Sequence, residues 1–175
     1  MSSSTEKTDL FTTSEFKENL NALRQIYLFS KFPLDSLKVF AYLCAKENFR
    51  QEEYLFKQDD DDGQAFYLLS GSARLIRETD EKEMIIRDYP EESFIGGMVL
   101  LCHIRRLYSL KALEDLSCLV LSREKFQKAM EQFPDLMPKV TRALIQQVFA
   151  WEEHFLVHRA ETYEECIRKG GLSLI

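Results

Sequence analysis

IGGMVLLCHIRRLYSLKA, residues 95–112, is the stretch whose reading decides the fold. A bulky Ile95 and the pair Gly96-Gly97 lead into a short apolar run, Met98 to Leu101. The basic pair Arg105-Arg106 follows within the reach of one loop, and Tyr108 to Leu113 reads as a strand. This is the composition of an anion cradle. A Gly-Gly turn into a short helix leaves backbone N–H groups unpaired and aimed outward. Glycine allows the backbone to bend and approach a ligand closely. An arginine on the next loop can grip a phosphate through two parallel hydrogen bonds.

Outward from this stretch the chain changes period twice. Residues before Phe11 are polar, and Thr12 with Glu15 makes a capping box for a helix carrying Phe16, Leu20, Leu23 and Tyr27 at helical spacing. Pro33 opens a second helix with Leu37, Phe40, Ala41 and Cys44 on one face, fading near Phe49. From Arg50 onward, short strand-like runs alternate with turns: Tyr54–Phe56, Ala65–Leu69, Ser72–Arg77, Met84–Tyr89, Leu107–Leu113 and Ser117–Leu121. Strands with turns every ten or so residues predict a small β sandwich or roll, and no section has the βαβ pattern of a dinucleotide fold. A short helix starts at Ser122-Arg123-Glu124, and a long one starts at Pro134-Asp135 and runs to Gly170-Gly171.

The stretch 95–112 resembles the phosphate-binding cassette of the cyclic nucleotide-binding domain family. That family's pattern reads F-G-E-(L/I)-A-L-L, four residues ending in Pro, then R-(A/S)-A-(T/W)-V. Without a gap, Gly96 takes the glycine place, Met98 to Leu101 the short helix and Arg106 the phosphate arginine, while Ser109-Leu110 fall where the next strand begins. A second segment, FKQDDDDGQAFYLLSGSARL, is similar to the family's F-x-x-G-D-x-G-D-x-F-Y-x-I-x-x-G-x-V. Phe56, Asp60, Phe66 and Gly71 fall in step with it, and Asp59 and Asp62 stand at its glycines. Two motifs in the right order and spacing are far more specific than one glycine motif. The resemblance implies a mainly β fold with flanking helices: an antiparallel, jelly-roll-like β roll with N-terminal helices and a long C-terminal helix. The divisions expected are a disordered tail over 1–12, the roll with its N-terminal helices over 13–133, and the long helix over 134–175.

The departures from the family pattern are as informative as the matches. Gly97 stands where the family places the glutamate that holds the ribose 2′-hydroxyl. A charge-assisted bond of that kind contributes about 1.5–3 kcal/mol, so its loss weakens binding roughly ten- to a hundredfold. Arg105 replaces the proline, and Leu107 adds bulk where the family keeps a small residue. Without the glutamate the cradle is expected to be more positive and less selective. Trp151 lies near where receptor-type members present small polar residues to the purine; it is read either as a stacking partner or as a filler of an empty pocket. The ligand-contacting set implied is Gly96, Gly97, Met98, Arg106, Leu107, Ser109 and Trp151, and the ligand a cyclic nucleotide (cyclic AMP or cyclic GMP) or another small anion.

Other constellations favour plain readings. His154 and His158, spaced i, i+4 beside Glu152 and Glu153, lack a third ligand and read as a polar helix face. Asp59 to Asp62 lack the ligand spacing of a calcium loop and read as a solvated hairpin turn, with Gly63 supplying the positive φ. Arg105 reads as an exposed loop charge. No nucleophile motif is present, and no metal site or enzyme is expected.

The net charge of −6 argues against nucleic-acid binding. Four cysteines without a regular framework, a polar start with no apolar h-region and no run of membrane-spanning length together give a cytoplasmic expectation.

The long helix carries two apolar stripes. Met137, Val140, Leu144, Val148, Trp151 and Phe155 form one; Ile145, Phe149, Leu156, Ala160, Tyr163 and Ile167 form the other. One stripe serves the roll, so the second predicts a homodimer through this helix. The competing cover is the N-terminal helix of the same chain. Three functions follow from these readings: a regulatory sensor with weak, altered or lost cyclic-nucleotide binding; a ligand-free dimerisation or docking module; or the sensor part of a receptor-protein-type transcription regulator. The last lacks its helix-turn-helix, since only four residues follow Gly171.

Overall fold

The computed structural model describes residues 3–79 and 82–158, with side chains described from Ser14 onward except at Trp151 and 154–158. Helices α1 (Ser3–Gln25) and α2 (Leu34–Leu43) precede eight strands: β1 (Ala45–Phe49), β2 (Tyr54–Phe56), β3 (Gln64–Ser70), β4 (Ala73–Glu78), β5 (Glu83–Tyr89), β6 (Phe94–Ile95), β7 (Ser109–Ala112) and β8 (Leu116–Ser122). A four-residue 3-10 helix, Gly97–Leu100, lies between β6 and β7. Helix α3 (Arg123–Gln132), a turn of 3-10 helix at Pro134–Leu136 and α4 (Met137–His158) follow. Two four-stranded antiparallel sheets, ordered β1-β8-β3-β6 and β2-β7-β4-β5, form the roll.

Period-two alternation explains the packing. In β3, Phe66 and Leu68 face the interior between the sheets with Phe56, Leu75, Leu110 and Val120. Ala65 and Tyr67 face the opposite side and join Leu23, Phe29, Phe40, Phe126 and Val140 in a second core under the helices. Strand β8 does the same, with Cys118 and Val120 inside and Leu119 and Leu121 against the helices. Strands buried on both faces read as continuous apolar runs, as Ala65–Leu69 and Cys118–Leu121 do.

Three expectations need correction. Helix α1 is continuous from Ser3, through the stretch read as a disordered tail over 1–12, so Thr12 and Glu15 lie inside it rather than at its start. The second helix does not run on toward Phe49. It stops at Leu43, Cys44 turns extended at ψ 147°, and Ala45–Phe49 pairs antiparallel with β8. The residues AKENF are mostly good helix formers; pairing with a buried strand overrides that weak preference. The two-residue β6 was too short to carry a period. The cap at Ser122 behaves as its sequence implies, its hydroxyl accepting from the Lys125 N–H.

On α4 the first stripe is the docking face: Val140 and Leu144 are buried in the helical core, whereas Ile145 and Phe149 of the second are 58% and 70% exposed. Helix α1 packs on α2 and leaves Ile145 and Phe149 uncovered. The continuation of the helix to Gly170-Gly171, with Leu156, Ala160, Tyr163, Ile167 and the His154–His158 face, lies outside the described side chains. No helix among the described residues is long and apolar enough to cross a membrane.

Candidate functional site

Gly96 begins the site. It holds φ at 88°, a left-handed turn that strains any other residue, and a Cβ there would sit 2.8 Å from Arg106 Nη1 and 3.0 Å from the Gln64 carbonyl. The glycine therefore lets the arginine close onto the turn. The helix it caps is only four residues long, and its hydrogen bonds begin with Val99 N–H to the Gly96 carbonyl at 3.2 Å. Gly97 faces the other way. A Cβ on it would meet the Phe94 ring at 3.0 Å and the Tyr27 hydroxyl at 3.2 Å, so a side chain at this position is directed first into the helical core.

Arg106 lies next to Gly96, but it is not free. Its side chain is 6% exposed. Nε donates to Asp62 Oδ1 at 2.8 Å and Nη2 to Asp62 Oδ2 at 2.9 Å, the two parallel bonds with which a guanidinium grips an oxyanion. Nη2 also donates to the Gln64 carbonyl. The Phe56 ring lies 3.8 Å from the guanidinium carbon, which closes the remaining face. The backbone secures the same contact: Arg106 N–H donates to the Asp60 carbonyl, and Asp59 N–H to the Arg106 carbonyl, both at 2.8 Å.

The acidic turn is thus not a merely solvated hairpin. Asp62 holds Arg106, and Asp61 holds Arg123 at the start of α3. Arg123, also buried, donates from Nε to the Val99 carbonyl at 2.6 Å and ties the cassette helix to α3. His103 Nδ1 lies 2.7 Å from Asp61 Oδ2 and 2.6 Å from Arg123 Nη1. One ring nitrogen cannot donate to the carboxylate and accept from the guanidinium at once. Hydrogen bonds from Arg123 first, and then from His103, hold the Asp61 carboxyl below its ordinary value, so Nδ1–H donating to Asp61 is the arrangement that fits the charges.

The remaining expected ligand contacts separate. Ser109 is buried with its Oγ accepting from the Gln58 N–H at 2.8 Å, so it braces the turn that presents Asp62. Leu107 is 60% exposed, and its bulk stands in solvent rather than over Arg106. Met98 is half exposed on the side facing α4, where it lines a cavity with α4 residues. Arg105 is exposed. The Trp151 side chain is outside the described residues. The expected excess of positive charge at the cradle is cancelled by Asp62. Sequence reasoning missed Asp62, Asp61 and Arg123 as site residues. The available signal was Asp62 itself, a carboxylate at a position where the family keeps glycine. No cluster of metal ligands occurs among the described residues.

Comparison with known proteins decides the family. The model of the cyclic nucleotide-binding domain matches residues 46–133, just over half of the chain. The chain belongs to the cyclic nucleotide-binding domain family. Mouse cGMP-dependent protein kinase 2 is 24% identical over 123 residues, which is 69% of this chain and 16% of the kinase. The chain therefore spans about a sixth of the length of that relative. Among solved structures, the N-terminal domain of a transcriptional regulator from Streptomyces coelicolor superposes with a TM-score of 0.68 at 18% identity, covering 79% of this chain and 97% of the other. The regulatory domain of Toxoplasma gondii PKA, solved with cAMP, gives 0.62 at 17% identity, covering 74% and 51%. The fold is that of the family's sensor and regulatory domains.

The arginine's bidentate edge is held by Asp62, and a carboxylate beside the vacancy left by Gly97 would have to grow from a Cβ that faces Tyr27 and Phe94.

Proposed function

We propose that this chain is a non-catalytic regulatory domain whose own Asp62 stands in for the phosphate, so that cyclic AMP and cyclic GMP bind weakly or not at all. The observation that carries this reading is the buried bidentate pair of Asp62 with Arg106. A ligand phosphate must displace a carboxylate that already supplies the same two acceptors, and it gains little by the exchange. The missing glutamate at Gly97 removes about another 1.5–3 kcal/mol. The test is calorimetric titration with both nucleotides, on the wild type and on Asp62→Ala. The wild type should show millimolar affinity or none, and the variant tighter binding of either nucleotide. Micromolar binding by the wild type overturns the reading.

The exposed second stripe of α4 supports a homodimer as the regulatory output. Ile145 and Phe149 are large, apolar and uncovered, and a two-fold contact is the commonest way to cover such a face. In this reading the domain is a docking or dimerisation module of the cytoplasm with no nucleic-acid contact of its own. The alternative is the sensor part of a transcription regulator, with its helix-turn-helix lying outside this sequence, in a longer chain or in a partner.

A further inference from the structure

We infer that the cavity between the cassette helix and α4 is a second binding site, for a small apolar molecule that carries a hydrogen-bond-donating amine. The cavity measures about 590 Å³, within the range that holds small organic ligands. Its walls are apolar: Leu101 and Ile104 on the cassette side, Leu144 and Val148 on α4, with Met98, Ile145 and Phe149 at an exposed rim, the last two belonging also to the face proposed above for the dimer. Glu152 lines it too, and one of its carboxylate oxygens is buried without a hydrogen-bond partner among the described residues. A buried acceptor left unpaired costs free energy, and a donor brought by a ligand recovers it.

The charge decides the ligand class. Among the residues lining this cavity Glu152 alone is charged, so the site repels phosphates and other anions. Arg106 is not part of it. The occupant is thus opposite in sign to a cyclic nucleotide, and the site is independent of the Asp62–Arg106 pair. Its position between the cassette helix and α4 lets occupancy bear on how α4 is held, because Leu144 joins the helical core while Ile145, one residue on, lies on the exposed stripe.

The test uses the whole chain and the neutral fluorescent probe N-phenyl-1-naphthylamine, displaced in turn by decylamine, decanol and decanoate. These competitors share one tail and differ in the head group. Decylamine should displace the probe at about a tenfold lower concentration than decanoate, or better, as a charge-assisted bond to Glu152 implies. Glu152→Gln should bring the two competitors together. Thr141→Trp, on an exposed α4 position lining the cavity, should weaken probe uptake by narrowing it. Three results would each overturn the inference: no uptake by the wild type, as when a second copy covers the cavity; decanoate competing as well as decylamine; or Thr141→Trp binding the probe like the wild type. Cyclic AMP should not displace the probe at any concentration, so failure here and failure of the Asp62 reading are seen in separate experiments.

Discussion

Replacing Asp62 by alanine separates a structural ion pair from an idle one. In the folded chain the Arg106 guanidinium is 6% exposed and its partner carboxylate 18% exposed. Removing the carboxylate leaves the charge with the Gln64 carbonyl and the Phe56 ring as its described partners. Breaking one side of a buried pair costs about 3–5 kcal/mol, and the partial exposure of Asp62 argues for the lower end. For a chain of this size 1 kcal/mol lowers Tm by roughly 2–4 °C, so a fall of about 6–12 °C is expected. The measurement is thermal unfolding followed by circular dichroism, with and without added sulfate and cyclic AMP. An anion that enters the emptied position binds only the folded state and raises its Tm by mass action. The variant should therefore regain several degrees in tens of millimolar sulfate, beyond the general salt effect seen with the wild type. A variant within about 0.5 kcal/mol of the wild type, the scatter of ordinary surface substitutions, would refute the claim that Asp62 fills the arginine's binding edge. So would equal stabilisation of both proteins by cyclic AMP.

Three further outcomes follow from the same geometry. Asp61 is held below its ordinary value of 3.8 by Arg123 and His103, so its contribution is present above that value and is lost as pH falls below it; Asp61→Asn should flatten the acid limb of the wild-type stability curve below about pH 4, and parallel curves would show that Asp61 makes no difference. Gly96→Ala places a Cβ 2.8 Å from Arg106 Nη1 at a φ of 88° and should lower stability by about 1–3 kcal/mol in denaturant titration, whereas an unchanged midpoint would mean that the turn relaxes freely. Light scattering should give twice the chain mass for the wild type and a shift toward monomer for Phe149→Glu, with a near-native circular-dichroism spectrum because Phe149 is 70% exposed; a wild-type monomer at tens of micromolar would remove the dimer.

What the sequence determined by itself is local, or repeats at short range. The short apolar runs Ala65–Leu69 and Ser117–Leu121, the Ser122 cap, the Gly96 turn and the ten-residue interval from Gly96 to Arg106 were all legible, because each depends on neighbours along the chain. They were enough to specify the roll and to place an arginine beside a glycine turn. What that arginine faces was settled only in three dimensions. Asp62 is 44 residues from Arg106, and Asp61 is 62 from Arg123; an acidic run looks the same whether it is solvated or paired across the sheet. The strand Ala45–Phe49 shows the same division, since its helix-forming residues yield to a ladder with β8 that lies some seventy residues away. Short-range preferences amount to tenths of a kilocalorie per residue, whereas a long-range pairing that buries charge or completes a sheet amounts to several, so tertiary contacts decided both the strand and the partner of the arginine.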